Sequence, residues 1–306
     1  MRTNHFLFLI SGLLISALTS CELILDVEVP NADRKIVVNG LISPDQPVLL
    51  HLSKSLSVLE NDEFMLLNNA DVRLFQNGNP LGQLIPDSGG FYHLPDFKPL
   101  VGSTYKLSVD YPGMTSVSAE AFIPTLVPIS SWDSATVVDE WGSEVINLSI
   151  RFDDPEIQGN LYGLAVSMTF KEIDYMTMKP TGKWITQQAF VYAGNDQFLQ
   201  DESHYFGGKL YFDDKIFNGQ VKTMKVSLYE YQWTLSDTIK VDIQLEQVDK
   251  SFYKYVVSNE AYQAAHNNPF AEPVQVFTNI TGGFGIFSGY SFSSQSLLLV
   301  GRGIKQ

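Results

Sequence analysis

From Arg34 onward, apolar residues in this chain recur at every second position. Tyr105, Leu107 and Val109 alternate with Lys106, Ser108 and Asp110. Val117, Ala119, Ala121 and Ile123 alternate with Ser116, Ser118 and Glu120, and Val72 and Leu74 alternate with Asp71 and Arg73. A period of two puts the apolar set on one face of an extended strand, whereas a helix needs a period near 3.6. The pattern therefore restricts the chain to a mainly β fold with buried sheet faces. Turn signals separate the runs at Asn77-Gly78, Asp87-Ser88-Gly89-Gly90 and Pro112-Gly113.

Short strands at this spacing predict an immunoglobulin-like or transthyretin-like β-sandwich over 34–124. The polar run near Ser130 to Asp133, between Pro124 and Glu144, reads as a connector. A larger β-rich domain is expected over 125–306. There Ile146, Leu148, Ile150 and Phe152 alternate with polar residues, as do Ile239, Val241, Ile243 and Leu245, and Met224, Val226 and Leu228. Val274, Val276 and Thr278 lead into a glycine-rich end. One α-helix is expected at about 250–265. Asp249 or Ser251 would cap its start, and Phe252, Tyr255, Val256, Asn259 and Tyr262 share one face at helical spacing. Asn267, Asn268 and Pro269 end it.

The N-terminus follows a different rule. Arg2 is basic, and Phe6 to Leu18 is apolar apart from Ser11, Gly12 and Ser16. That stretch suits a signal-peptide core and is shorter than the roughly 20 residues a spanning helix needs. It runs into Leu18-Thr19-Ser20-Cys21, the pattern of a bacterial lipobox, and Cys21 is the chain's one cysteine. The expectation is a lipoprotein signal peptide over 1–20, acyl chains on Cys21 and a tether over 21–33. Several acyl chains anchor stably where one binds marginally. The rest of the chain has no thiol, so disulfides are excluded and packing must supply stability.

A net charge of −14 is unsuited to nucleic acid, because phosphate contacts need clustered Lys and Arg. It also disfavours electrostatic adhesion to anionic lipid. Residue patterns for catalysis are thin. Gly289-Tyr290-Ser291-Phe292-Ser293 lacks the closing glycine of a nucleophile elbow, and Ser-x-x-Lys at Ser103–Lys106 and Ser251–Lys254 lacks its companion motifs. His51, His93, His204 and His266 lack the i, i+4 pairing of a helical zinc site. Asp153, Asp154, Glu156 and Asn160, and Asp213 and Asp214, could form oxygen-rich calcium loops, although neither follows the helix–loop–helix spacing. Acidic turn formers serve equally well at these places. No cofactor and no metal site is assigned. Trp184, Trp233 and Phe284 are the candidate contacts for a ligand or partner, since exposed aromatics stack on sugars and anchor interfaces.

Four stretches read together: "KIVVNGLIS" (Lys35 to Ser43), "FDDPEIQGNLYGLAV" (Phe152 to Val166), "YFDDKIFNGQ" (Tyr211 to Gln220) and "NNPFAEPVQVFTNITGGFGIFSGYS" from Asn267. With them the chain resembles the lipoprotein family known as domain of unknown function 4249. That resemblance implies a Bacteroidota cell-envelope lipoprotein, its gene often beside a TonB-dependent outer-membrane transporter, and hence an accessory role in nutrient uptake without catalytic residues. A free-standing glycan- or peptide-binding lipoprotein is the alternative, and an envelope hydrolase the third reading. The expected address is the outer membrane, on its periplasmic or cell-surface side.

Overall fold

The computed structural model describes residues 33–300 except 58–64, 139–141, 143, 175, 178, 194–195, 229–237, 267 and 269. The fold is mainly β, as the alternation requires. Strands β1 (Ile36–Ile42), β2 (Leu49–Lys54), β3 (Asp71–Gln76), β4 (Asn79–Gln83), β5 (Ile85–Pro86), β6 (Phe91–His93), β7 (Thr104–Asp110) and β8 (Val117–Phe122) make up the first part. The second part holds β9 (Ile129–Val138), β10 (Glu144–Asp153), β11 (Leu161–Asp174), β12 (Lys179–Ala189), β13 (Val191–Tyr192), β14 (His204–Phe206), β15 (Lys209–Asp213), β16 (Val221–Leu228), β17 (Thr238–Val248) and β18 (Phe284–Val300). A short helix α1 (Gln197–Glu202) follows β13, and the long helix α2 (Lys250–His266) sits where helical spacing places it.

A ten-stranded sheet runs in the order β14-β15-β11-β17-β18-β1-β2-β6-β5, with β12 also paired to β11. Two four-stranded sheets, β4-β3-β7-β8 and β13-β16-β10-β9, complete the fold. The inward faces of β1, β2 and β6 and of β3, β7 and β8 close over one core that includes Ile36, Leu50, Tyr92, Leu74, Leu107 and Ala119. A second core joins β10 and β16 to β11 and β17, through Leu148, Phe152, Val226, Tyr162, Leu164 and Ile243. The first core draws on residues 36–123, but Ile280 and Phe287 from the chain's other end also fill it.

That sharing comes from β18. Its residues 290–300 pair antiparallel with β17, and its residues 284–289 pair parallel with β1, in register Val37 to Phe284 through Ile42 to Gly289. The ten-stranded sheet is therefore continuous across both cores, and Arg34–Leu56 and the described residues after Asp62 cluster as one compact unit.

Two segments differ from the sequence reading. Residues 129–138, read as connector, form edge strand β9, exposed on both faces along most of its length. A strand with neither face buried carries no alternation, so its period is invisible in the sequence. Residues 271–280 lie outside the strands.

Helix α2 starts where Asp249 predicts. Its carboxylate accepts the backbone N–H groups of Lys250 and Ser251, the role of an N-cap. Phe252 and Val256 are buried on the ten-stranded sheet beside Tyr211, Val248 and Ile286, while Tyr262 at the far end is 37% exposed.

Candidate functional site

The two acidic loops are 60 residues apart in sequence and meet in space. Asp214 accepts from the backbone N–H groups of Gly159 at 3.0 Å and Asn160 at 2.9 Å, and from the Asn160 side-chain amide at 3.2 Å. Asp154 accepts from the Gly219 N–H at 2.8 Å and from the Tyr162 hydroxyl. Both carboxylates are buried, at 7% and 2% exposure. Burial raises the Asp154 carboxyl above its usual range, more than its bonds from Tyr162 and Gly219 lower it. Burial, reinforced by Asp154, pushes the Tyr162 hydroxyl up as well. The carboxylate oxygens are thus occupied by N–H and O–H donors, which a cation would have to displace. Among the described residues no group of three or more His, Cys, Asp or Glu is placed to hold a metal ion. The arrangement locks two loops together.

The glycine-rich end is a clasp between the two ends of the chain. Asn279 donates from its amide to the Glu120 carbonyl at 2.9 Å and to the Phe287 carbonyl at 2.6 Å, and accepts the Phe287 N–H at 3.0 Å. Thr281 and Ser118 exchange both backbone bonds. Asp249 accepts from the Phe122 N–H at 3.2 Å and the Ser288 hydroxyl at 3.1 Å. Together these satisfy the open edge of β8, which would otherwise present unpaired donors and acceptors. A Cβ on Gly285 would collide with the Val38 carbonyl, and its φ of +98° favours glycine as well. The glycines therefore let β18 lie against β1.

Of the predicted contact residues, Trp184 is 56% exposed. It lies on β12 opposite Lys171 of β11, whose ammonium stands 5.6 Å from the indole centroid. The described pairing of β11 with β17 runs from Tyr162 and Gln247 to Phe170 and Ile239, and residues 171–174 of β11 go on pairing with 179–184 of β12. Met176, between the two strands, is 96% exposed. Phe284 is 40% exposed beneath the Lys35 ammonium, 100 residues from Trp184 in sequence and on β18. Trp233 and Cys21 lie outside the described residues, as does Trp141. Trp132 packs partly against the second core.

The serine and histidine candidates do not converge. Ser291 is 1% exposed within β18. His204 pairs with Glu260 at 2.6 Å, and His266 stacks on Tyr262. His51 and His93 share a sheet face at adjacent cross-strand positions, with His51 against Phe91.

One concavity escaped the sequence reading. It has a volume of about 340 Å³ and lies where the uncovered face of β1, β2 and β6 meets α2. Phe206, Phe252 and Tyr255 form one wall, and Leu41, Leu49 and Phe91 the other. The signal lies in the outward positions of β1 and β2, where Leu41 and Leu49 stand at 42% and 50% exposure in place of the polar residues that alternation leads one to expect.

A model of the family described as a domain of unknown function (DUF4249) matches residues 24–296. No curated protein matches the chain. Among solved structures, the native conformation of E. coli alpha-2-macroglobulin is similar at 11% identity and a TM-score of 0.25. That match covers 73% of this chain and 14% of the macroglobulin. The collagen-binding domain of Erysipelothrix rhusiopathiae surface protein RspB is similar at 12% identity and a TM-score of 0.19, over 90% of this chain and 97% of that one. At such scores neither likeness carries an argument about fold or activity. With all but its ends matched by one family model, the chain belongs to the DUF4249 family.

Proposed function

We propose that the protein is a non-enzymatic lipoprotein of the outer membrane, anchored through Cys21, and an accessory component of a TonB-dependent nutrient-uptake system. The observation that carries a partner-binding role is Trp184. A large indole left 56% exposed on β12 is poorly explained by packing, and tryptophan is among the residues enriched at binding hot spots. Met176, in the turn between β11 and β12, adds a second apolar side chain at 96% exposure. Tethering of both partners to one membrane raises their effective concentration, so a modest contact suffices. The same exposed indole supports a second reading, in which it stacks on a glycan.

The test is co-purification of the tagged protein from native membranes in mild detergent. A TonB-dependent transporter is expected to co-purify with the wild type. Trp184→Ala should reduce its recovery at least tenfold without a change in thermal midpoint, and Cys21→Ser should move the protein to the soluble fraction. Absence of any transporter from the wild-type sample, with Trp184-dependent retention on an immobilised glycan, would favour the second reading.

A further inference from the structure

We infer that the groove between α2 and the outer face of β1, β2 and β6 is a binding site for a small uncharged amphiphile, with an aliphatic or aromatic body and one hydrogen-bonding head. Its volume, about 340 Å³, falls at the lower end of the roughly 300–1,000 Å³ typical of small-molecule sites. The chemistry of the lining selects the ligand. In a chain of net charge −14, no Asp, Glu, Lys or Arg among the described residues lines the groove. A charged ligand would lose water there and meet no counter-charge, a cost that an uncharged one avoids.

The groove still has polar groups to orient a ligand. Asn39 and His51 are direct cross-strand partners, and Tyr255 lines the groove from the helix wall. None of the three side chains makes a hydrogen bond to another described residue. Polar groups without partners along an otherwise apolar groove give the pattern of an apolar body held by its contacts and a head held by a hydrogen bond. The walls are fixed before any ligand arrives, because Phe252 and Leu50 are buried in the structure behind them. This inference does not rest on the transporter reading. Loss of co-purification would leave it standing, and its own failure would leave the transporter reading intact.

The full chain, purified without detergent, is titrated with the uncharged fluorophore N-phenyl-1-naphthylamine, which is then displaced by 1-decanol, decanoate or decyltrimethylammonium. One fluorophore should bind per chain, and decanol should displace it at least tenfold more effectively than either ion of the same chain length. Leu49→Asp should weaken fluorophore binding at least tenfold, with an unchanged circular dichroism spectrum, since Leu49 is half exposed. Asn39→Ala should narrow the preference for decanol over decane. Equal displacement by the three amphiphiles, or full binding by Leu49→Asp, would overturn the assignment. So would near-complete photo-crosslinking of position 49 to another protein in cells, which would make this face a protein interface instead.

Discussion

Asp154 and Asp249 show what a single buried carboxylate contributes. Burial raises both above their ordinary value, outweighing the hydrogen bonds each accepts. In the unfolded chain both titrate near 3.8. Between that value and their raised native values, the native state therefore binds more protons than the unfolded state. Stability contributed by these groups is present below 3.8 and is lost as pH rises through the native values. Replacing both by asparagine keeps acceptors for Gly219 and Phe122 and removes the titration. The urea midpoint of the double variant should thus fall less between pH 4 and 7 than that of the wild type. Parallel profiles would show that burial does not perturb these carboxyls. At this scale the sequence was partly legible. It singled out two separate oxygen-rich loops, one with Asp153, Asp154, Glu156 and Asn160 and the other with Asp213 and Asp214. It could not show that backbone N–H groups from the opposite loop would occupy those oxygens, because pairing across 60 residues is decided by the fold.

Among elements, strand β18 is the one on which the rest depend. Its glycines read in the sequence only as a glycine-rich end, and the structure supplies their reason. Gly285 at φ +98° lies against the Val38 carbonyl, and Gly283 against that of Ile36. Gly285→Ala must both strain the backbone and push β18 off β1, and it should cost about 2–4 kcal/mol by chemical denaturation. Gly113, at φ +77° with open space around it, is the control. Gly113→Ala pays only the left-handed penalty of roughly 1–2 kcal/mol. Similar losses for the two would remove the close approach as an explanation. Helix α2 was legible from Asp249 to its end, because capping and a 3.6-residue period are local signals. Strand β9 was not, because a strand exposed on both faces along most of its length has no period to read.

At the scale of the whole molecule, the two cores stand or fall together through β18. Ile280 and the fully buried Phe287 complete the first core, and β1 takes its second ladder partner from residues 284–289. A fragment of residues 34–124 would expose that edge of β1 and leave a hole where Phe287 sits. It should therefore show no cooperative urea transition, whereas the full chain should unfold in one. A cooperative, well-dispersed fragment would mean that the first core is self-sufficient.

The sequence by itself determined that the chain is β-rich, which residues face inward along the alternating strands, and where its long helix begins and ends. Those properties are set within a few residues, by alternation and capping. Only the tertiary structure decided that the last strand runs parallel to the first, that two acidic loops lock one another, and that Leu41, Leu49 and Phe91 join α2 to form a groove. Each depends on contacts between segments far apart in the chain, and the side-chain pattern of a strand records which face is buried without recording which strand will lie beside it.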